Sequence, residues 1–327
     1  MIVVGSGIMA QGLSTDQLSI LLANTIATGA GLTALIWIFI SISGAHFNPA
    51  VSLIMLLKKE LTLKEFSCFS CAQFVGGFFG VILSVGGLGF IGSHTAVELL
   101  ALGHEVVIAD NLANTRPEVL DGIEAISGKR PEWENVDLAD STACAEFLAK
   151  HQDLDGIIHF AAYKAVGESV DKPLDYYHNN LGSLVNLLQF VKEKPQCAFI
   201  FSSSCTVYGQ ADELPVRENA PVKPAESPYG NTKQIGEEIL QDSAKAHGFK
   251  VIALRYFNPV GAHPSAKIGE LPLGVPQNLV PFITQSAAGL RGALKVFGND
   301  YPTKDGTCVR DYIHVVDVAK AHILAMD

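Results

Sequence analysis

Apolar and polar positions follow two different rhythms on either side of residue 80. From 18 to 43 runs an uncharged stretch of 26 residues, longer than the ~20 that carry a helix across the hydrocarbon core of a bilayer. It is too long for a cleaved leader and has no basic patch ahead of it. A second apolar run covers 66–85. Short apolar segments at 81–85, 105–109, 132–136, 156–160, 197–203 and 250–255 then alternate with helical periodicity at 90–103, 141–151, 175–194 and 227–247. Gly103, Gly128 and Gly248 mark helix ends, and a last helix opens at 315. That alternation predicts an α/β fold, a doubly wound parallel sheet with helices on both faces, preceded by an all-α membrane-helix segment.

Residues 81–85 belong to both rhythms. A helix over 66–85 at ~1.5 Å per residue reaches the ~30 Å of a bilayer core, whereas 66–80 alone reaches only ~22 Å. A spanning 66–85 would also carry all later residues to the side opposite Lys58, Lys59 and Lys64, which favour the cytoplasm. The expectation is that 81–85 form the central strand, and that the chain divides into 1–80 and 81–327.

Charge divides the chain at the same place. The first 85 residues carry only Asp16, Lys58, Lys59, Glu60, Lys64 and Glu65, and the remaining 242 hold the other 50 charged residues, an ordinary density for a water-exposed domain. A net charge of −10 argues against nucleic acid as a partner. An anionic ligand must then be met locally, by backbone N–H groups, helix ends and a few cations. The six cysteines are scattered, as expected of reduced thiols in a cytoplasmic protein. Cys68 and Cys71 have redox or zinc spacing, but they sit in an apolar run without a second ligand pair, so no metal is expected.

Five local patterns carry chemistry. Asn48-Pro49-Ala50 follows Gly44-Ala45-His46 between the two apolar runs; Pro49 can open a helix that Asn48 caps, aiming donors into a cavity at membrane depth. No second Asn-Pro-Ala follows, since Asn258-Pro259 continues into Val260. Gly86, Gly89 and Gly92 lie between a strand and a helix, where glycine permits a tight turn and close approach to a pyrophosphate. Asp110 ends the next strand, where a carboxylate binds a ribose 2′-hydroxyl and disfavours a 2′-phosphate, selecting NAD. Tyr229 and Lys233 stand at i and i+4 of one helix; an adjacent ammonium stabilises phenolate and predicts a tyrosine pKa drawn down for general-base work. Ser204 lies in a hydroxyl cluster at the end of a buried strand, placed to donate to a reacting oxygen beside Tyr229.

The segment around Asn48 resembles the first pore motif of the aquaporin and glycerol-facilitator family, over residues 1–80. Residues 81–327 resemble the extended short-chain dehydrogenase family, within it the UDP-glucose (UDP-galactose) 4-epimerases. The motifs include Gly92-Ser-His-Thr95, Asp110-Asn-Leu112, His159-Phe-Ala-Ala-Tyr-Lys-Ala-Val166, Tyr176-Tyr-His-Asn-Asn180, Ser202-Ser-Ser-Cys-Thr-Val-Tyr-Gly209, Arg255-Tyr-Phe-Asn-Pro-Val-Gly-Ala-His263 and Val309-Arg-Asp-Tyr-Ile-His-Val-Val-Asp317.

This resemblance implies a Rossmann-type domain that moves a hydride from sugar C4 to tightly held NAD and back through a 4-keto sugar. Tyr229 is implied as the base, Lys233 as its partner on the nicotinamide ribose, and Ser204 as the donor to the 4-oxygen. The cofactor would be lined by Gly86, Gly89, Phe90, Ile91, Gly92, Asp110, Asn111, Leu112, Asn114, Asp137, Leu138, Phe160, Ala161, Ala162, Lys164, Asn179 and Phe257. A UDP-sugar would face Asn258, Asn278, Leu279, Phe297 and Arg310. A homodimer is implied as well, with membrane attachment through 18–43. Related 4,6-dehydratases carry an Asp-Glu pair where Cys205 and Thr206 stand here. The relatives also continue past Asp327, so the end of the substrate-binding part is expected to be missing. The alternative reading is half of an aquaporin-like channel with an incidental, inactive NAD-binding domain.

Overall fold

The contested segment Val81–Val85 is a strand, β1, in the computed structural model, which describes residues 80–326. The uncharged run 18–43, the Asn48-Pro49-Ala50 motif, Cys68, Cys71 and nearly all of the run 66–80 lie outside the described residues. Among the described residues no helix is long and apolar enough to cross a membrane.

Five further strands join β1: β2 (Glu105–Ala109), β3 (Glu132–Glu134), β4 (Leu154–His159), β5 (Ala198–Ser202) and β6 (Val251–Leu254). All pair in parallel in the order β3-β2-β1-β4-β5-β6. The order reverses between β1 and β4, so the loops leaving their carboxyl ends diverge and open a crevice there. Helices α1 (Phe90–Leu102), α2 (Val119–Ser127), α3 (Ser141–Lys150), α4 (Val166–Asp171), α5 (Pro173–Val191), α6 (Pro228–His247), α7 (Leu279–Ala287) and α8 (Val315–Leu324) complete the unit with a short parallel pair, β7 (Asn258–Val260) and β8 (Tyr312–His314).

The two-residue period of the strands sorts their side chains into two cores. Leu83 and Val85 of β1 join Val107, Ile157, Phe199 and Phe201 beneath α3, α5 and α6, whereas Ile82 joins Ile108, Ile158 and Ile200 beneath α1, α2 and α8. Both faces are apolar, so these strands read as continuous apolar runs rather than alternating ones. Leu83, Ile108, Ile157 and Phe199 are fully buried, each stabilising the fold by about 1.5–3 kcal/mol. Gly103 and Gly248 close α1 and α6 in the left-handed conformation, which costs little without a Cβ.

Expected boundaries shift by a few residues: the third strand stops at Glu134, the fourth starts at Leu154, and α8 stops at Leu324. Helices α2, α4 and α7 and the pair β7/β8 are additions. Each is short, and α2 buries only Leu120 and Ile123 while α7 carries Pro281 near its start, so their periodicity is too brief to register.

Candidate active site at the carboxyl ends of the strands

The first turn is built around glycine. Gly86 leaves β1 at φ +73°, its N–H donating to Ala109 O at 2.7 Å. A Cβ there would stand 2.7 Å from the backbone N of Ala161, and one at Gly92 would stand 2.5 Å from Gly86 O. Gly89 precedes α1 without any side-chain cap, and no acid lies in the first turn. The opening N–H groups of α1, with Phe90 and Ile91 leading, therefore keep their donors and the positive end of the helix dipole for an anion. A tight glycine cradle beneath an uncapped helix fits a dinucleotide pyrophosphate.

Gly92→Ala is expected to cost about 1–3 kcal/mol and to strip NAD from the purified protein. The contacts are backbone atoms, which cannot swing aside. Thermal melting and extraction of bound nucleotide would measure both effects.

Asp110 directly follows β2, 8% exposed, accepting from Leu88 N at 3.1 Å and Leu112 N at 2.9 Å. Burial raises its pKa, and those two backbone bonds oppose the shift. A carboxylate has about four acceptor positions, so two remain for ribose hydroxyls. Leu112 holds φ +59°, Asn111 Oδ1 accepts from Ala113 N at 3.1 Å, and Asn114 is exposed beside them. Asp137 Oδ1 accepts from Ala139 N at 3.0 Å. Phe160 N and Ala161 N both donate to Val85 O, at 2.8 and 3.0 Å, which lays the segment through Ala162 across the end of β1. Asn180 pins that segment by accepting from Tyr163 N at 2.8 Å and donating to Tyr163 O at 3.1 Å; Asn179 donates to Asn180 Oδ1 at 2.9 Å.

The reactive hydroxyls meet where β5 ends. Ser204 is extended and caps the 3-10 turn Cys205–Tyr208, accepting from Thr206 N at 3.2 Å. Ser227 caps α6, accepting from Gly230 N at 3.1 Å, so that Tyr229 sits in the first turn. Lys233, 4% exposed, donates from Nζ to Ser202 O at 2.8 Å and lies 4.8 Å from the Phe201 ring centre and 5.9 Å from that of Tyr229. Burial pushes Lys233 down to about 8, with Glu237 opposing.

Here the expectation for Tyr229 is corrected. Its pKa is not drawn down by Lys233 but pushed up to about 12 by burial, and the group that opposes the shift is the Ser204 hydroxyl. The ammonium is spent on a strand-end carbonyl.

Residues expected to face a UDP-sugar are partly assembled. Asn258, in β7, donates from Nδ2 to Asp311 O at 2.8 Å. Arg310 is exposed and donates from Nη1 to Val309 O at 2.8 Å, yet its charge lies near enough to Cys205 to favour the thiolate. Lys164 Nζ stands 3.5 Å from Glu270 Oε1, and Asn278 Nδ2 donates to the same oxygen. Leu138 is buried in the core, and Phe160 packs on His322 with ring centres 4.7 Å apart. Phe257 lines a cavity of ≈ 530 Å³ beside β6 with Tyr208 and Arg217, and Phe297 is 96% exposed. A further cavity of ≈ 510 Å³ opens at the amino ends of β1, β2 and β4, lined by Val81, Glu105 and Leu154, the end of the sheet away from these groups.

The family described as NAD dependent epimerase/dehydratase matches residues 82–327. The chain belongs to that family. Among similar proteins, the UDP-glucose 4-epimerase of Schizosaccharomyces pombe is 49% identical over 253 residues, covering 76% of this chain and 71% of that one. The UDP-glucose 4-epimerase of Haemophilus influenzae is 49% identical over 246 residues, 75% of this chain and 72% of the relative. A crystal structure of UDP-glucose 4-epimerase from Bifidobacterium longum with NAD+ and UDP superposes with a TM-score of 0.72 at 46% identity, covering 76% of this chain and 74% of that chain. The family described as major intrinsic protein matches residues 1–105. Residues 82–105 fall under both matches, and the structure makes them β1, α1 and the start of β2.

This epimerase/dehydratase chain also has a support that the sequence reading missed. Glu237, one turn beyond Lys233 on α6, accepts from Ser203 Oγ at 2.5 Å and from Arg255 Nε at 2.9 Å. It thereby ties α6 to the end of β5 and to the residue after β6. The i+4 step from Lys233 was the available signal. Glu237→Ala leaves Arg255, 20% exposed, without its partner. It is expected to cost about 3 kcal/mol, read as a lowered denaturation midpoint, and a loss under half that size would show the pair to be idle.

Proposed function

We propose that this chain is a UDP-glucose 4-epimerase, interconverting UDP-glucose and UDP-galactose through a 4-keto sugar with NAD held at the glycine turn. The observation that carries the reading is the Tyr229 phenol, desolvated by burial and opposed in that by the neighbouring Ser204 hydroxyl, at the same carboxyl end of the sheet as an uncapped glycine turn and Asp110. NAD, when bound, supplies a hydride acceptor and, in its oxidised form, a positive charge. Tyr229 Oη takes the proton from the sugar 4-hydroxyl as the C4 hydrogen leaves as hydride, and returns it when hydride comes back on the other face. Held at about 12 with only Ser204 opposing, Tyr229 needs added positive charge to serve as a base near neutrality. Ser204 donates to the 4-oxygen, and Lys233 keeps the end of β5 in place beside the ribose site. Asn258, Asn278 and Leu279 hold the nucleotide, with Arg310 as a forked donor to the diphosphate.

Dehydration is disfavoured by the residues after Ser204. Burial raises the Cys205 thiol above its ordinary pKa, and Thr206 offers only a buried hydroxyl, so neither is an acid for a departing hydroxyl. A channel is disfavoured too, because Asn258-Pro259-Val260 forms β7 and is no second pore motif. In this reading 81–327 is the catalytic domain, dimeric and cytoplasmic. Residues 1–80 are an aquaporin-like segment; the major intrinsic protein match and the uncharged run 18–43 support a membrane tether.

The test is purification of the full chain, extraction of bound nucleotide and assay of UDP-galactose conversion. Bound NAD with turnover is the expected result. Bound NAD without turnover would reduce the chain to a nucleotide binder, and water or glycerol flux in liposomes would restore the channel reading.

A further inference from the structure

The carboxylate of Glu270 touches both halves of the site. Its side chain is 9% exposed, and Oε1 meets Lys164 Nζ at 3.5 Å and the Asn278 amide. Lys164 follows β4 and lies 106 residues earlier in the chain; Asn278 is the residue immediately before α7. The two partners are exposed, whereas Glu270 is anchored from behind. Ile268 is 5% exposed in the core with Leu120 and Ile123, Gly269 bridges Ala262, and His263 N donates to Ile268 O at 3.1 Å. The fixed group is therefore the carboxylate, and the mobile side chains take their places from it.

Asn278 shows what this does. It is extended at the N-cap position of α7, where an asparagine ordinarily turns its side-chain oxygen onto the first-turn N–H groups. No such cap bond forms here, and no acid lies in the first turn. The Asn278 amide donates to Glu270 instead, and the N–H groups of Leu279 and Val280, which open α7 ahead of Pro281, stay without a side-chain cap.

We infer that Glu270 is a positioning residue for the UDP moiety: it holds Lys164 and Asn278 at a set separation and keeps Asn278 from capping α7. The inference rests on the epimerase reading, because it takes Asn278 and Leu279 as nucleotide contacts. A neutral amide at 270 can still accept from Asn278 but cannot pair with Lys164. An alanine releases both and lets Asn278 fold back onto the helix.

The experiment titrates UDP into the NAD-loaded full chain by calorimetry, for wild type, Glu270→Gln, Glu270→Ala, Asn278→Ala and the Glu270→Ala/Asn278→Ala double variant. Glu270→Ala is expected to weaken UDP about tenfold, as for loss of a hydrogen bond to a charged group. Glu270→Gln, which gives up only the Lys164 pair, should fall between it and wild type. Because Glu270 acts in part through Asn278, Glu270→Ala should cost less in the Asn278→Ala background than in wild type. Multiplicative losses in the double variant or unchanged UDP affinity in Glu270→Ala would each overturn the inference. Binding is read without turnover, so a wild type that binds UDP but converts no sugar refutes the epimerase reading alone. A wild type that binds no UDP refutes both.

Discussion

Tyr229→Phe is expected to lower turnover of UDP-galactose by roughly 10²–10⁴-fold while NAD remains bound. The substitution removes one oxygen and keeps the ring, so the packing against Lys233, 5.9 Å from the ring centre, is retained. Lys233 keeps its bond to Ser202 O at 2.8 Å, and Ser204 keeps its place at the head of the 3-10 turn. What disappears is the atom proposed to exchange a proton with the sugar 4-hydroxyl. Among the described residues, the other hydroxyls near this point are weaker candidates. Burial raises Tyr256 still further and its hydroxyl contacts Ser202, and Tyr176 donates to Ala165 O at 2.9 Å. Initial rates and nucleotide content of the purified variant decide the matter. Full activity in Tyr229→Phe would place proton transfer elsewhere and remove the basis for the assignment.

Acid is expected to unfold the domain over a narrow range below pH 6.5. Among the described residues three imidazoles are buried: His94 at 1% exposure, His159 at 1% and His322 at 0%. Burial, the leading cause in each case, pushes His94 and His322 down to about 4 and His159 to about 3. His263 and His314 add to the shift of His94, and Lys233 to that of His159. One ring nitrogen of each has no hydrogen-bond partner, so an added proton would find no acceptor.

The sign follows from which state binds protons. Between pH 6.5 and about 4 the unfolded chain is protonated at these rings and the folded one is not. Stability is therefore complete above 6.5 and falls as pH drops. Each ring contributes about 1.4 kcal/mol per pH unit, so the three together remove about 4 kcal/mol per unit, against a typical total of 5–15 kcal/mol. Urea midpoints at pH 7.5, 6.5 and 5.5 test this. A flat profile would mean that these rings are charged or solvated in the folded state.

Much of the site is local, and that part is readable along the chain. Gly86, Gly89 and Gly92 act within a single strand–turn–helix, and Asp110 is placed by the length of α1 plus one strand. Tyr229 and Lys233 meet because one helical turn separates them. Each relation is set by backbone geometry over a few residues. The alternation of apolar runs with helical periodicity determined the doubly wound sheet for the same reason, since period 2 and period 3.6 bury different faces.

Other features depend on partners far apart in the sequence, and no spacing rule links them. Glu237 finds Arg255 only because α6 crosses the end of β6, and Glu270 reaches Lys164 across 106 residues. The acidity of Tyr229 is the sharpest case. Spacing promised a phenol eased by a neighbouring ammonium, but the fold buries both groups, aims Lys233 at Ser202 O and leaves desolvation to raise the phenol to about 12. Residue order is enough to say which groups share a helix face and which turn can cradle an anion. How dry those groups are and where their hydrogen bonds go is set by packing, because desolvation depends on what the rest of the chain places around them.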